Sequence, residues 1–206
     1  MHIVVKASED QKAEWLGKSG ISDLDVEFIS AGKNILEIEA DAYFILTDEK
    51  KLQQIANVDS PFFVNAVTEI LNELPANCIR INAWRGFLGR DVLEIVALEK
   101  NKTIAEKVMN ALGWKYIFIS DIRGMITARS ISMIINEAYF ALGDNVSTKD
   151  EIDIAMKLGT NYPYGPFEWS SKIGLKHIYN LLKKLSEEDK RYIVAPLLEE
   201  EAMQIV

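Results

Sequence analysis

The chain has 206 residues, enough for one large domain or two modest ones with a buried core. Its formal net charge of −8 argues against binding to nucleic acid, because phosphate backbones require concentrated lysine and arginine. The same acidity mildly disfavours acyl-CoA and dinucleotides, which are also anionic, although it does not exclude a local positive site for them.

Cysteine content and hydropathy predict the compartment. Cys78 is the only cysteine, so no intrachain disulfide can form and a reducing cytosol is the default. Residues 1–6 lack the apolar core and the cleavage site of a signal peptide. No uninterrupted apolar stretch approaches the roughly 20 residues that a membrane-spanning helix needs. We therefore expect a soluble cytoplasmic protein with no membrane partner.

The first part of the chain alternates predicted strands with short predicted helices. Ser8 and Gln11 form a capping box that opens a first helix. Alternating or continuous apolar patterns predict strands over residues 2–7, 25–29, 42–47, 61–67, 78–83, 92–97 and 115–120. Further helices are predicted over residues 50–57, 68–74 and 103–112. Strands separated by short helices indicate a mostly parallel sheet with right-handed crossovers.

After Asp121 the pattern is helical only. Residues 125–142 are apolar round most of a helical circumference, which is typical of a helix buried on several sides. Thr148 and Glu151 form a second capping box, for a helix that we expect to stop at Gly159.

A rigid turn at residues 161–166 follows. One helix face is then formed by Leu175, Ile178, Leu182 and Leu185, and residues 186–206 hold shorter helical pieces around Pro196. The change of period predicts two domains, at residues 1–120 and 121–206.

The turn after the first strand tests for dinucleotide binding, because glycines there let backbone amides approach a pyrophosphate. Residues 6–11 contain no glycine and place Glu9 and Asp10 where the phosphate would lie. Ser30 follows the second strand in place of the acid that holds a ribose. No Gly-x-x-x-x-Gly-Lys loop is present either. We therefore expect no bound cofactor of this kind.

Metal and hydrolase chemistry lack the residues they need. The only histidines, His2 and His177, and the single Cys78 are far apart in sequence, so no metal site is predicted. His177 follows Lys176 beside an apolar stripe, which indicates a surface or partly buried histidine rather than a metal ligand. No Gly-x-Ser-x-Gly motif is present, and Cys78 lies in an apolar strand.

The second half contains several motifs that are found together in one known family. Gly-Met-Ile-Thr-Ala-Arg at 124–129 is similar to a Gly-Phe-x-x-Asn-Arg motif, and Asn136 begins the Asn-Glu-Ala that follows it. Residues 150–159 resemble an acidic helix of the same family, and residues 162–168 its Tyr-Pro-x-Gly-Pro turn. Over roughly residues 122–198 the chain therefore resembles the C-terminal domain of the 3-hydroxyacyl-CoA dehydrogenase family. The resemblance implies an all-α domain of the type shared by 6-phosphogluconate and 3-hydroxyacyl-CoA dehydrogenases.

Upstream the resemblance is weaker but continuous. It includes residues 40–45, which are similar to a family strand that begins Ala-Asp, and residues 64–68, where the family has Asn-Thr-Ser-Ser. Residues 82–96 are similar to the segment that starts at the family's catalytic histidine. The first domain is thus expected to be a shortened, Rossmann-like α/β domain that has lost much of its nucleotide-binding half.

The resemblance also assigns positions in the active site. The family's base is a histidine oriented by a glutamate, and it takes a hydroxyl proton while hydride leaves for NAD. Here Glu94 stands at the glutamate position, but Asn82 replaces the histidine, and an amide cannot exchange a proton near neutral pH. Val67 stands at the substrate-contacting serine, with Thr68 next to it, and Ala128 replaces an asparagine.

Two interpretations of these polar residues stay open. Glu94 is either a strand residue that points to solvent or to a lysine, or a residual acid that hydrogen-bonds the Asn82 amide. Asn65 and Asn82, both at strand ends, either bind a polar ligand or form turns.

Three hypotheses about function follow. The first is a degenerate family member of fatty-acid and acyl-CoA metabolism that performs no hydride transfer with NAD and binds an acyl-CoA-like ligand or serves as an assembly partner. The second is an active oxidoreductase on a 3-hydroxyacyl-CoA or related substrate, with a non-standard site. The third is a structural homodimer, formed through the helical domain and its apolar helix at 125–142.

Overall fold

The computed structural model of the chain describes residues 1–18, 24–49 and 52–205. The chain divides into an α/β unit, Met1–Met125, and a helical unit, Ile126–Val206. This arrangement confirms the predicted fold class, a shortened Rossmann-like domain followed by an all-α domain.

The strands of the α/β unit form one sheet. They are β1 (His2–Lys6), β2 (Asp25–Ile29), β3 (Ala42–Ile45), β4 (Phe62–Asn65), β5 (Cys78–Ile81), β6 (Val92–Val96) and β7 (Lys115–Phe118). Their order across the sheet is β2-β1-β3-β4-β5-β6-β7. Every neighbouring pair is parallel except β5 with β6, which confirms the mostly parallel sheet. Strand order reverses between β1 and β3, and α/β proteins bind ligands outside the carboxyl ends of the strands at such a switch point.

In the described residues of this unit, the sheet is accompanied by the α-helices α1 (Glu9–Leu16) and α2 (Glu99–Ala111). Trp15 of α1 is fully buried and makes edge contacts with Phe44 and Trp114, at ring-centroid distances of 4.7 and 4.4 Å. These rings belong to an apolar core that includes Val108 of α2. Burying one such side chain stabilises the fold by about 1.5–3 kcal/mol.

Two predicted helices of this unit are only short 3₁₀ turns. In the described part of residues 50–57 the turn is Leu52–Ile55, and in residues 68–74 it is Leu71–Glu73. In the second case the backbone N–H groups of Ile70 and Leu71 donate to the carboxylates of Glu73 and Asp121, at 3.0 and 2.9 Å. Pro75 disfavours the helical conformation at Leu74, which is extended with ψ 157°, so the segment ends after one turn.

The helical unit contains α3 (Thr127–Gly143), α4 (Lys149–Thr160), α5 (Pro166–Ile173), α6 (Leu175–Glu188) and α7 (Pro196–Gln204). The capping box of Thr148 and Glu151 is present, and the predicted apolar face of α6 is buried. Helix α4 ends at Thr160, one residue beyond the predicted stop, where Asn161 adopts the left-handed conformation with φ 54°.

An aspartate of α4 caps the next helix. The Asp153 carboxylate accepts from the backbone N–H groups of Phe167 and Glu168, at 2.8 and 3.0 Å. Gly165 lies beside it, and a Cβ atom there would come within 2.3 Å of the Asp153 side chain. Glycine is therefore required by space at this position.

Candidate functional site

Asn82 and Glu94 lie beside the antiparallel pairing of β5 with β6. The register pairs Arg80 with Val96 and Ile81 with Ile95, and from its continuation by one residue beyond β5 we infer that Asn82 stands opposite Glu94. Directly opposed residues of an antiparallel pair point to the same face, with Cβ atoms about 4.5–5.5 Å apart. Both side chains are buried, with 2% of Asn82 and 8% of Glu94 exposed. This burial excludes the interpretation that Glu94 points into solvent.

The chemistry of this pair is that of an amide beside a carboxylic acid. The Asn82 Oδ1 atom accepts from the backbone N–H of Trp84 at 3.2 Å, so Asn82 also stabilises the turn after β5. Its amide donates and accepts hydrogen bonds but takes up no proton. The pair therefore contains a carboxyl group and an amide but no imidazole.

Thr68 is positioned by a network of charged side chains. Its hydroxyl donates to Oε1 of Glu69 at 2.8 Å, and its carbonyl accepts from Nη1 of Arg123 at 2.8 Å. Arg123 also forms a two-point ion pair with Glu73, at 2.8 and 2.7 Å. The structure thus fixes the loop in which the resemblance implies a substrate-contacting hydroxyl.

Arg80, which sequence reasoning missed, anchors the same loop. It is fully buried, and its guanidinium donates to the carbonyls of Ala66 at 2.9 Å and Val67 at 3.3 Å. It also donates to the carbonyl of Ile122 at 3.2 Å and forms an ion pair with Asp121. Burial lowers the pKa of Arg80, and the charge of Asp121 opposes that shift. The only sequence signal was an arginine inside a strand of buried apolar residues.

Asn65 belongs to a different set of contacts from Asn82. In the parallel register of β4 and β5 it pairs with Ile81. Residues in register point to the same face of a sheet, and successive residues point to opposite faces. Because Ile81 and Asn82 are successive, the side chains of Asn65 and Asn82 point to opposite faces. The structure therefore does not bring these two candidate residues together.

Asn65 is part of a closed hydrogen-bonded ring at the carboxyl edge of the sheet. The Asn65 amide donates to the carbonyl of Leu46 at 3.1 Å and accepts from the backbone N–H of Ala83 at 3.0 Å. The buried Gln11 side chain donates to the same Leu46 carbonyl at 2.5 Å and to the Ala83 carbonyl at 3.0 Å. We call Gln11, Leu46, Asn65 and Ala83 the carboxyl-edge ring.

The N-terminus of α1 is capped by its own residues. Ser8 Oγ accepts from the backbone N–H of Gln11 at 3.3 Å, and Gln11 Oε1 accepts from the backbone N–H of Ser8 at 3.1 Å. Asp10, in the first turn of the helix, pairs with Arg85 at 3.1 Å. The predicted capping box is thus confirmed.

The chain is similar to several known proteins, and these similarities identify its family. Residues 124–204 match the 3-hydroxyacyl-CoA dehydrogenase C-terminal domain. A 3-hydroxyadipyl-CoA dehydrogenase of Escherichia coli K12 is 30% identical over 174 residues, which is 82% of this chain. The chain belongs to the 3-hydroxyacyl-CoA dehydrogenase family. A 3-hydroxybutyryl-CoA dehydrogenase of Clostridioides difficile is 39% identical over 82 residues.

This 3-hydroxyacyl-CoA dehydrogenase homologue aligns with about a third of the length of these curated relatives, 37% of the first and 29% of the second. Among solved structures, the (S)-3-hydroxybutyryl-CoA dehydrogenase of Ralstonia eutropha has a TM-score of 0.75 at 17% identity, over 98% of this chain and 93% of that chain. A 3-hydroxybutyryl-CoA dehydrogenase of E. coli K12 has a TM-score of 0.56 at 28% identity, over 81% of this chain and 33% of that chain.

NAD, the cofactor that family membership implies, has a specific requirement at the turn after β1. A pyrophosphate binds there through free backbone N–H groups and the positive end of a helix dipole. Here Ser8 and Gln11 satisfy each other, Glu9 and Asp10 bring negative charge, and Lys6 is ion-paired with Glu49 at 2.6 Å. These residues do not fit a pyrophosphate.

Across the described residues, no three or more histidine, cysteine, aspartate or glutamate side chains are grouped so that they could hold a metal ion. In the described part of the chain, none of the helices combines the length and apolar character needed to cross a membrane.

Proposed function

We propose that this chain is a 3-hydroxyacyl-CoA dehydrogenase homologue of fatty-acid and acyl-CoA metabolism that does not transfer hydride to or from NAD. The observation that supports this most directly is Asn82 standing opposite Glu94. Oxidation of a hydroxyl needs a base that takes its proton as hydride leaves. Asn82 cannot be that base, so the glutamate has no imidazole to orient.

Two further positions support the same proposal. Ala128, at the place of the family's asparagine, is fully buried and offers no polar side chain. The turn after β1 does not fit a pyrophosphate, since its own side chains satisfy the cap. Cys78, the single cysteine, is buried and free, as is usual in a reducing compartment, and on that basis we propose a cytoplasmic location.

An acyl-CoA-like ligand remains part of the proposal, with Thr68 and Asn65 as the predicted polar contacts. Of the two, Thr68 is more readily available, because its hydroxyl donates to the side chain of the neighbouring Glu69 and a hydroxyl reorients at little cost. Equilibrium dialysis with acetoacetyl-CoA tests this part: we expect saturable binding that weakens in Thr68→Ala. Absence of binding would refute the ligand and leave the proposal on hydride transfer standing.

The test of hydride transfer is a spectrophotometric assay with the whole chain, NADH and acetoacetyl-CoA. We expect no loss of NADH absorbance above the rate without protein, while the C. difficile 3-hydroxybutyryl-CoA dehydrogenase, measured in parallel, verifies the reagents. Asn82→His, checked for folding by circular dichroism, is expected to gain no activity. Saturable turnover by the wild-type chain would contradict the proposal and favour the active oxidoreductase with a non-standard site.

A homodimer through the helical unit is the second candidate, and exposed apolar side chains favour it. On α4, Ile154 is 52% and Leu158 is 83% exposed, and Val146 before the helix is 72% exposed. Ile154 and Leu158 are four positions apart and share one helix face, as an interface requires. Light scattering should give a dimeric mass that Leu158→Glu lowers to a monomer, whereas Leu16→Glu on α1 leaves it dimeric. A monomeric wild type would refute this candidate.

A further inference from the structure

The Gln11 carboxamide has no hydrogen-bonding capacity left for a ligand. Its Oε1 atom accepts from both the backbone N–H and the hydroxyl of Ser8, each at 3.1 Å. Its two N–H groups are used by the carbonyls of Leu46 and Ala83. A primary amide has two donor hydrogens and two acceptor lone pairs, so all four are occupied.

Gln11, whose hydrogen-bonding groups are all occupied, lies at the edge of the sheet where dinucleotide-binding proteins hold their ligand. It is the third residue of α1, the helix that follows β1 at the switch point of the sheet. Leu46 follows β3 and Ala83 lies two residues beyond β5, while Asn65 ends β4 between them. The carboxyl-edge ring therefore connects α1 to the ends of three adjacent strands. In dinucleotide-binding sheets this edge is open, and the pyrophosphate lies there against the helix N-terminus.

We propose that Gln11 takes the place of the dinucleotide at this edge. The carboxyl-edge ring closes the crevice from within and stabilises the strand ends by protein–protein hydrogen bonds. Dinucleotide binding is consequently excluded by the fold itself, and restoring a catalytic base alone leaves hydride transfer absent. This inference rests on the proposed function and names the residue that enforces it.

The competing explanation is that Gln11 serves only as a helix-capping residue. Substitution by glutamate distinguishes this explanation from a role in the carboxyl-edge ring. A glutamate at this position still accepts from the Ser8 backbone, as in the usual capping box. It lacks the two N–H donors, however, and it sets a carboxylate against the carbonyls of Leu46 and Ala83. We therefore expect Gln11→Glu to lower the melting temperature by at least about 4 °C and by no less than Gln11→Ala. The exposed Gln54→Glu is the matched control and is expected to cause no shift.

The pH profile of Gln11→Glu provides a second measurement. A buried carboxyl facing carbonyl oxygens has its pKa raised above the unfolded value, because burial and those oxygens disfavour its charged form. The loss of stability caused by Gln11→Glu is then greatest above the pKa of the folded state. It fades as pH falls toward the pKa of glutamate in the unfolded chain, near 4.3. A capping role alone predicts that Gln11→Glu is as stable as wild type across this range, and that result would overturn the inference.

Titration of the whole chain with NADH, followed by fluorescence and by amide hydrogen exchange, tests the excluded site. We expect no saturable binding up to millimolar NADH and no added protection of the Ser8 and Gln11 amides. Saturable binding with protection of those amides, but without turnover, would overturn the inference and leave the proposed function intact. Turnover with acetoacetyl-CoA would overturn both.

Discussion

The buried ion pair between Arg80 and Asp121 predicts an unusually costly surface substitution. In Asp121→Asn the guanidinium keeps its charge inside the protein and loses the carboxylate that balances it. Breaking a buried pair from one side costs about 3–5 kcal/mol, more than is lost when both partners are replaced. Asp121 is 32% exposed, so water offsets part of this cost. The same substitution weakens the acceptor for the Leu71 amide. We expect a loss of about 2–4 kcal/mol in the free energy of unfolding.

Urea unfolding followed by tryptophan fluorescence measures this loss, since three of the four tryptophans, Trp15, Trp84 and Trp114, lie in the α/β unit. Asp10→Asn is the matched control, because Asp10 forms an exposed ion pair with Arg85. Such pairs contribute about 0–1 kcal/mol. Equal losses for the two aspartates would refute the account of Arg80 as a buried charge that needs its partner.

Three further predictions concern other parts of the chain. Gly165→Ala, whose Cβ would collide with Asp153, should destabilise the helical unit by about 2–4 kcal/mol in thermal melts, while Gly159→Ala, with open space around it, should not destabilise it. Hydrogen bonds from the Ser147 hydroxyl, and then from the backbone and hydroxyl of Thr148, lower the pKa of Glu151. Their stabilising effect is therefore present above the unfolded pKa and is lost as pH falls through the folded pKa, and Glu151→Gln should flatten that pH dependence of the melting temperature. Burial raises the pKa of the Cys78 thiol to about 12, so iodoacetamide should not label the folded chain at neutral pH by mass spectrometry, and rapid labelling would contradict this.

Local signals in the sequence predicted local structure well. Both capping boxes, Ser8 with Gln11 and Thr148 with Glu151, form as expected, because each involves residues only three positions apart. The strands were predicted from patterns that are also local, namely the alternating or continuous apolar residues within each segment. The helix predicted over residues 68–74 is wrong: the segment is a single 3₁₀ turn, because Pro75 disfavours the helical conformation at Leu74, which is extended.

The candidate site was predictable only in part. The resemblance identified Asn82 and Glu94, but their burial and their opposed register required the sheet itself. Arg80 was missed because one charged residue in an apolar strand does not indicate its partners, which are carbonyls and a carboxylate from two distant loops. Gln11 was recognised as a cap but not as part of the carboxyl-edge ring, because no local pattern encodes contacts made across the sheet.

The carboxyl-edge ring also bears on the order in which the α/β unit folds. Its hydrogen bonds join residues 18, 19, 35 and 72 positions apart, so each closes a long loop of chain. Loop closure of this kind becomes favourable only after β3, β4 and β5 have assembled beside one another. We therefore expect the ring to form late in folding. Its disruption should accelerate unfolding and leave the refolding rate nearly unchanged, which stopped-flow kinetics of Gln11→Ala would measure. On this expectation, the hydrogen bonds of the carboxyl-edge ring slow the unfolding of a sheet that has already formed.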